Sequence, residues 1–308
     1  MRAVFIGTPE FAVPSLELLA EHHDVLEVVT QPDRPAGRGR RLTPPPVKRK
    51  AEELSLPVFQ PEKIRDDHAF DRLVGHAPDV IAVVGYGQMI PKRIRDLSPH
   101  GCVNVHSSLL PKYRGAAPVN WALVNGETYT GVTTMRISRQ MDAGDILLSC
   151  TAEIMPAERA SELNRRLAPQ GASLLLDTLR GLEAGTLRPI PQDHDAATFA
   201  PLIRREDGLV DWSLPATAIH NRLRGFDPWP GIYSFFRGKR IRIHEARVEG
   251  EGGLAPGTIM LNQGQFSVGC GVGRLVLEEV QLEGRNRMAA LDFAHGYRAE
   301  SSEVLGNG

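Results

Sequence analysis

Short apolar segments alternate with helical patterns along the first half of the chain, and this alternation limits the folds it can adopt. Apolar residues dominate four segments that we predict to be strands, at 2–7, 24–30, 79–85 and 102–106. Near-continuous apolar strands are typical of parallel sheets that are covered on both faces. The intervening segments 11–23 and 66–76 have the pattern of amphipathic helices. The first half is therefore predicted to form an α/β, Rossmann-like, mostly parallel sheet.

The character of the sequence changes near residue 188. Residues 188–206 are polar and rich in proline, which predicts a linker. A helix should follow, with Ser213 as its N-cap and Pro215 in its first turn. Short strands separated by glycines occupy the rest, which indicates a small OB-like β-barrel. We therefore predict an N-terminal domain at 1–187, a linker at 188–206 and a C-terminal domain at 207–308.

Composition excludes several classes of protein. The three cysteines are far apart and form no CxxC pair, which argues against a disulfide framework and against a zinc site. No apolar run reaches the roughly 18 residues that a membrane span needs. The segment Gly7-Thr8-Pro9-Glu10 ends the first apolar run too early for a signal peptide. We predict a cytoplasmic protein that contains no metal and does not contact a membrane.

A basic segment stands out against a net charge of only −1. Between Pro32 and Lys50, seven basic residues face a single acid, Asp33. Such density is typical of a surface for a polyanion, although a solvated loop would have the same composition. Residues 31–47 are rich in proline and glycine, so we predict a loop without regular structure. Glycines on both sides of Arg38 would let that residue approach a ligand closely, so we expect it to be the most important residue of this segment.

The most informative motif is NVHSSLLPKYRG, which begins at the end of a predicted strand with Asn104. Asn104 and His106 are two residues apart in the strand, so their side chains point to the same side. Ligands of open parallel sheets bind at the carboxyl ends of the strands. An amide donor and an imidazole aimed at one point suit the oxygen of a tetrahedral intermediate. Further along, the turn MDAGDIL carries Asp142 and Asp145, and one of these acids could orient His106.

These two motifs together resemble the signature of the 10-formyltetrahydrofolate-dependent formyltransferases. The resemblance implies a one-carbon transferase whose catalytic residues are Asn104, His106 and Asp142. It implies 10-formyltetrahydrofolate as co-substrate, and the residues that would line it are Ser108, Leu109, Leu110 and Pro111. No metal is expected in the reaction, and residues 1–187 would form the catalytic domain.

Two further stretches resemble the family members that formylate the methionine on initiator methionyl-tRNA, for translation initiation. They are TQPDRPAGRGRRLTPPPVK, similar to an inserted loop that reaches the acceptor stem, and RGFDPWPGIYS, similar to a motif of the C-terminal domain. The resemblance implies that residues 207–308 form a tRNA-binding β-barrel, and it implies no protein partner. The residues that we expect to contact tRNA are Arg34, Arg38, Arg40, Arg41, Arg240 and Arg242. The last two alternate with Ile241 and Ile243 in a predicted strand, so the isoleucines should face inward and the arginines outward.

Other functions remain open at this level. The same catalytic residues could formylate a sugar-nucleotide or nucleotide amine, but a small acceptor would not need so many cations in one segment. A formyltetrahydrofolate hydrolase or dehydrogenase is a second alternative. A non-catalytic RNA-binding protein is a third, and it would leave Asn104, His106 and Asp142 without a role.

Overall fold

The structure, a computed structural model, describes residues 1–36, 41–250, 253–262 and 264–306. The strands of the first half are β1 Arg2–Gly7, β2 Asp24–Val29, β3 Arg34–Ala36, β4 Arg41–Thr43, β5 Val58–Phe59, β6 Val80–Val84, β7 Cys102–His106, β8 Arg114–Gly115, β9 Tyr129–Arg136, β10 Ile146–Glu153 and β11 Phe199–Ala200. The helices of this half are α1 Val13–His22, α2 Pro46–Glu53, α3 Asp67–His76, α4 Lys92–Arg95, α5 Pro118–Val124 and α6 Ala160–Glu183. Six strands follow in the second half, β12 Ile232–Phe236, β13 Lys239–Glu249, β14 Ile259–Asn262, β15 Gln265–Gly269, β16 Arg274–Leu282 and β17 Met288–Ala289, with helices α7 Ala216–Gly225 and α8 Ala290–Tyr297.

Seven strands form the main sheet, in the order β10-β9-β7-β6-β1-β2-β5. All pairs from β7 to β5 are parallel, whereas β9 and β10 add an antiparallel edge. Strand β6 is buried along its whole length, as its apolar sequence requires. The predicted mostly parallel sheet is therefore confirmed. Strand β7 lies inside the sheet, between β6 and β9.

The proline- and glycine-rich segment contains regular structure, so our prediction of a structureless loop over 31–47 was wrong. Strands β3 and β4 pair antiparallel, with Pro35 opposite Leu42. Proline is tolerated there because a strand in a two-stranded sheet has one edge that needs no hydrogen bond. Helix α2 begins at Pro46, where a proline ring already has the φ of a first helical turn.

The C-terminal strands form an antiparallel sheet in the order β12-β13-β16-β15-β14, and the last residues of the chain close it. Phe235 in β12 exchanges two backbone hydrogen bonds with Gly306, of 3.0 and 3.1 Å. Beside β14, the N–H of Ile259 donates to the carbonyl of Glu303 at 2.7 Å. One terminal segment thus pairs with both edge strands, which agrees with the predicted barrel.

Helix α7 begins later than predicted. Pro215, and not Ser213, is the residue before its first turn. The hydroxyl and N–H of Ser213 both donate to the carboxylate of Asp211, at 2.6 and 3.0 Å. The Asp211 carboxylate therefore closes a local turn with Ser213, and the serine hydroxyl is not available to cap the helix.

The chain divides into two compact units. The first comprises Met1–Pro118, Tyr129–Glu153 and Glu162–Pro201, and the second comprises Val119–Thr128, Ile154–Ser161 and Leu202–Gly308. Residues 188–201, which we predicted to be part of a linker, belong to the first unit. In the part of the chain that the structure describes, no helix is both long and apolar enough to cross a membrane.

A buried acid interrupts the apolar strand β2. Glu27 is fully buried and accepts hydrogen bonds from the Arg72 guanidinium at 2.6 and 2.7 Å and from His76 at 2.9 Å. Burial alone would raise the pKa of Glu27, but these hydrogen bonds outweigh burial and hold the pKa below its ordinary value of 4.5. A carboxylate with a lowered pKa stabilises the fold above its unfolded pKa and loses that contribution as the pH falls through its folded pKa.

We therefore expect Glu27→Gln to lower the free energy of unfolding at pH 7 by about 1–3 kcal/mol, because a neutral amide leaves Arg72 without its counter-charge. The difference from the unmutated chain should shrink as the pH falls below the ordinary glutamate pKa of 4.5. Urea unfolding at several pH values would measure this. Glu52→Gln, at an exposed position of α2, is the matched control and should unfold normally. A constant difference across the pH range would contradict the charge-based explanation.

Candidate active site

The carboxyl end of β7 carries Asn104 and His106. Strand β9 pairs with both residues, and β6 pairs with Asn104. Asn104 lies opposite Val83 on one side and Met135 on the other. His106 is paired with Thr133 of β9 and is 6% exposed, whereas Asn104 is half-buried. Among the residues that the structure describes, none forms a hydrogen bond with the Asn104 side chain. Its amide group is therefore free to donate to a ligand.

The hydrogen bonds of His106 determine which nitrogen can take part in chemistry. Nε2 lies 2.9 Å from the backbone carbonyl of Tyr113. Because a carbonyl can only accept, Nε2 must carry a proton. Nδ1 faces Asp142, with 3.7 Å between Nδ1 and Oδ2. This distance is too long for a direct hydrogen bond but close enough for charge interaction. Nδ1 is thus the nitrogen that can gain or lose a proton.

Asp142 is held in place by the backbone around it. Its Oδ2 accepts a hydrogen bond of 2.9 Å from the N–H of Gly115. Its φ of +50° lies in the left-handed region, which aspartate tolerates better than most residues. Two residues later, Gly144 passes so close to the chain that an added Cβ would lie 1.8 Å from the carbonyl of Arg136. The turn therefore needs glycine there and directs Asp142 toward His106.

The structure distinguishes the two acids of the MDAGDIL turn, which the local sequence pattern did not, and it agrees with the resemblance in favouring Asp142. Asp142 faces His106, whereas the neighbouring Asp145 is exposed. Within the described ranges no side-chain hydrogen bond or ion pair involves Asp145. The two carboxylates share one short turn, so Asp145 provides a natural control for Asp142.

The predicted folate segment forms a rigid turn directly after β7. Ser108 is fully buried, and its hydroxyl donates to the carbonyl of Lys112 at 2.7 Å. The Thr133 hydroxyl donates to the carbonyl of Ser108 at 2.7 Å and accepts from the N–H of Leu110 at 3.2 Å. Leu110 is 8% exposed, whereas Leu109 and Pro111 are half-buried. A ligand could therefore use Leu109, Pro111 and the backbone more readily than the Ser108 hydroxyl.

Sequence patterns missed several residues that hold this site. Tyr113 has a φ of +60°, and its N–H donates to the Thr198 hydroxyl at 2.9 Å. Strand β8, which includes Gly115, pairs in parallel with β11. Thr133 joins Ser108 to Leu110, as described above. The polar composition around Thr198 was the reason for predicting a linker, and no local pattern indicated these contacts.

The basic segment is less available to a polyanion than its charge count suggested. Lys48 binds Asp33 at 2.9 Å and Lys50 binds Glu17 at 3.0 Å, while Arg49 lies 4.0 Å from Glu10. Arg34 and Arg41 are exposed on the β3-β4 hairpin, and in the part of the chain that is described neither forms an ion pair. Arg38 and Arg40 lie outside the described residues.

The two predicted barrel arginines differ in their surroundings. Ile241 and Ile243 are buried, at 0% and 1% exposure, which confirms the predicted alternation of β13. Arg240 lies over the ring of Tyr233, 5.7 Å from its centroid. Arg242 donates to the carbonyl of Pro228 at 2.8 Å, and burial is the main cause that lowers its pKa. Arg240 is therefore more available to a ligand than Arg242.

Burial raises the pKa of each of the three cysteine thiols. The pKa reaches about 12 for Cys102 and about 11 for Cys270, and for Cys150 it is also raised. Neutral thiols are weak nucleophiles. Among the described residues, no group of three His, Cys, Asp or Glu side chains is placed to hold a metal ion.

Comparison with known proteins agrees with this geometry. Residues 1–179 match the formyl transferase family, and residues 202–298 match the formyl transferase C-terminal domain. The first match alone covers more than half of the chain, so the chain belongs to the formyl transferase family. Its similar relatives include the methionyl-tRNA formyltransferase of Solibacter usitatus, 52% identical over 100% of this chain and 99% of the relative. The methionyl-tRNA formyltransferase of Geobacter sulfurreducens is 46% identical over 99% of this chain and 97% of its own length.

Solved structures show the same fold at low sequence identity. The sugar 3N-formyl transferase WlaRD matches with a TM-score of 0.67 at 15% identity, over 93% of this chain and 99% of WlaRD. HypX from Aquifex aeolicus, solved in complex with tetrahydrofolic acid, matches with a TM-score of 0.62 at 20% identity. The match covers 98% of this chain but only 48% of HypX, so the chain spans about half of that protein. At these identities the likeness concerns the fold alone.

Proposed function

We propose that this protein transfers the formyl group of 10-formyltetrahydrofolate to the amino group of methionine on initiator methionyl-tRNA. The observation that carries the proposal is the juxtaposition of a free Asn104 amide, His106 and Asp142 at the carboxyl end of β7. Full-length relatives named for this activity support it. In the reaction, the amine nitrogen bonds to the formyl carbon and the bond from that carbon to the folate nitrogen breaks. The amine loses one proton and the folate nitrogen gains one.

His106 and Asp142 manage these protons in our proposal. With Nε2 occupied by Tyr113, a protonated His106 presents its Nδ1–H toward Asp142 and the reacting groups. The Asp142 carboxylate, 3.7 Å from Nδ1, is close enough for charge interaction with that imidazolium. The imidazolium stabilises the negative charge on the formyl oxygen or supplies the proton to the departing folate nitrogen. Asp142 helps to remove the proton of the attacking amine, through a water molecule.

Asn104 serves as the oxyanion donor. The formyl oxygen becomes negative when the amine adds, and a fixed amide donor stabilises that charge more than it stabilises the starting carbonyl. The half-buried Leu109 and Pro111, in the turn directly after β7, offer apolar surface for the folate rings, and the buried Ser108 and Leu110 fix that turn. The residues present thus fit a flat heteroaromatic co-substrate.

The acceptor is a tRNA because the chain displays cations that a small amine would not need. Arg34 and Arg41 project from the hairpin, and residues Arg38 and Arg40 belong to the same segment of the sequence. Arg240 and Arg242 supply a second basic surface on the barrel, and Arg240 is the more available of the two to a ligand. On this proposal residues 1–187 are catalytic, together with residues 188–201, which belong to the same compact unit. Residues 207–308 bind tRNA, and the protein works in the cytoplasm during translation initiation.

A transfer assay tests the proposed function directly. Formyl-labelled 10-formyltetrahydrofolate would be offered with initiator methionyl-tRNA, elongator methionyl-tRNA, free methionine and an amino-sugar nucleotide. We expect label on initiator methionyl-tRNA far above the other three acceptors. Preferential labelling of the sugar nucleotide would replace this function with that of a sugar N-formyltransferase, and hydrolysis without transfer would make the protein a hydrolase.

The hairpin arginines lead to a separate prediction. The double variant Arg34→Ala/Arg41→Ala should weaken binding of the acceptor tRNA by roughly 10-fold at low salt, and the slope of log affinity against log salt should fall by up to about two units. Filter binding across a salt series would measure both values. Arg49→Ala, which removes an exposed cation beside Glu10, should change neither. Affinity for a folate analogue should also stay constant, and a loss there would mean that the hairpin shapes the active site.

A further inference from the structure

Gln192 is an isolated buried residue in an otherwise solvent-facing stretch. From Glu183 to Phe199, all of which the structure describes, it is the one buried residue, and it is 6% exposed. The segment is held beside the MDAGDIL turn, because Ile190 and Ile146 exchange two backbone hydrogen bonds of 2.8 Å. A polar side chain buried in this way costs free energy unless its hydrogen bonds are made.

The amide of Gln192 uses both of its ends. Its Nε2 donates to the backbone carbonyls of Asp142 at 3.0 Å and of Gly144 at 2.6 Å. Its Oε1 accepts from Nε and Nη2 of Arg114, at 3.0 and 2.7 Å. One side chain therefore joins the turn that carries Asp142 to the segment that follows the folate turn. Its Nε2 also lies 3.9 Å from the sulfur of Met135, the neighbour of Asn104 in the sheet.

Arg114 explains why a glutamine is needed at this point. The arginine is 5% exposed, and among the described residues it forms no ion pair with a carboxylate. Its other contact is His194, whose Nδ1 lies 3.0 Å from Nη2 and must accept because a guanidinium only donates. A buried cation needs acceptors, and the carbonyls of the turn need donors. Glutamine provides both groups in one side chain, whereas glutamate or leucine provides one or neither.

We propose that Gln192 and Arg114 form a positioning pair that sets the place of Asp142 relative to His106. This inference rests on the proposed formyl transfer. It assigns a role to Gln192, which lies outside the signature motifs, and to Arg114, a motif residue that had none. The Asp142 carboxylate is 3.7 Å from Nδ1 of His106, in a turn with a left-handed φ. Small displacements of such groups reduce turnover strongly, because catalysis depends on their geometry in the transition state. Gln192 binds the backbone carbonyls of the turn and not the Asp142 carboxylate, so its effect passes through the position of Asp142.

The decisive variant is Gln192→Glu. Glutamate keeps the shape and still accepts from Arg114, but it cannot donate to the two carbonyls and places a negative oxygen against them. We expect kcat to fall about 10- to 100-fold, with KM for both substrates changed less than about threefold. Gln192→Met, which keeps the volume and removes all the hydrogen bonds, should show the same pattern. Gln170→Glu, at a half-exposed position of α6, is the charge-matched control and should retain normal turnover.

A double-mutant cycle separates positioning from general stability. When Gln192→Glu is added to Asp142→Asn, the single-turnover rate should fall by less than about a further threefold. The effects of residues that act as a unit are not additive. A full additional loss in that background would overturn the proposal, as would normal kcat in both Gln192 variants. If Gln192→Glu fails to fold, Gln192→Met decides, and failure of both to fold would make Gln192 a stability determinant instead. An unmutated chain that transfers no formyl group would overturn the proposed function itself, independently of these comparisons.

Discussion

Asp142→Asn should reduce kcat for formyl transfer by at least about 100-fold while leaving the affinity for tRNA and for a folate analogue nearly unchanged. Asparagine can still accept the hydrogen bond from Gly115 through its amide oxygen, so the turn should keep its shape. The loss is the negative charge 3.7 Å from Nδ1 of His106. That charge acts on proton positions during the reaction and contributes little to ground-state binding, so kcat and not KM should change.

The same turn supplies the control. Asp145→Asn makes the identical chemical change three residues away, at an exposed position. It should retain near-normal kcat. Steady-state kinetics on both variants, with initiator methionyl-tRNA as the acceptor, would measure the contrast. Equal losses would mean that the turn responds to its overall charge, and near-normal turnover of Asp142→Asn would remove Asp142 from the chemistry.

The sequence predicted the parts of the site that depend on local pattern. Asn104 and His106 are adjacent because strand geometry places alternate residues on one side, and their strand was recognisable from its apolar residues. The alternation of Ile241 and Ile243 in the barrel followed from the same rule and is confirmed. Where one physical preference dominates over a few residues, the sequence alone is sufficient.

The remainder depends on contacts between residues that are distant in the chain. Gln192 binds Arg114 across 78 positions, and Glu27 binds Arg72 across 45 positions. No local pattern encodes such pairs. Polar composition was therefore the only signal for residues 188–206, and it indicated a linker. The charge count over 32–50 was misleading for a related reason. It treated Lys48 and Lys50 as free cations, although Asp33 and Glu17 neutralise them in the folded chain.

Asn104 is the residue whose loss should show most directly that the site stabilises an oxyanion. Its side chain makes no hydrogen bond within the described part of the chain, and it projects from a strand held between β6 and β9. A free donor on a strand held from both sides is pre-organised. It therefore needs no reorganisation when charge develops on the formyl oxygen. Replacement should therefore raise the barrier without unfolding the protein.

Asn104→Ala should lower kcat by about 10²- to 10³-fold, which corresponds to about 2.7–4 kcal/mol of transition-state stabilisation, with small changes in KM. Asn104→Asp should be at least as damaging, since a carboxylate would oppose the developing charge instead of donating to it. Asn262→Ala, at an exposed position of β14, is the control for loss of an asparagine and should leave kinetics unchanged. Single-turnover measurements with saturating substrates would isolate the chemical step. If Asn104→Ala raised KM for the folate with kcat intact, the residue would be a ground-state binding group, and His106 alone would have to stabilise the oxyanion.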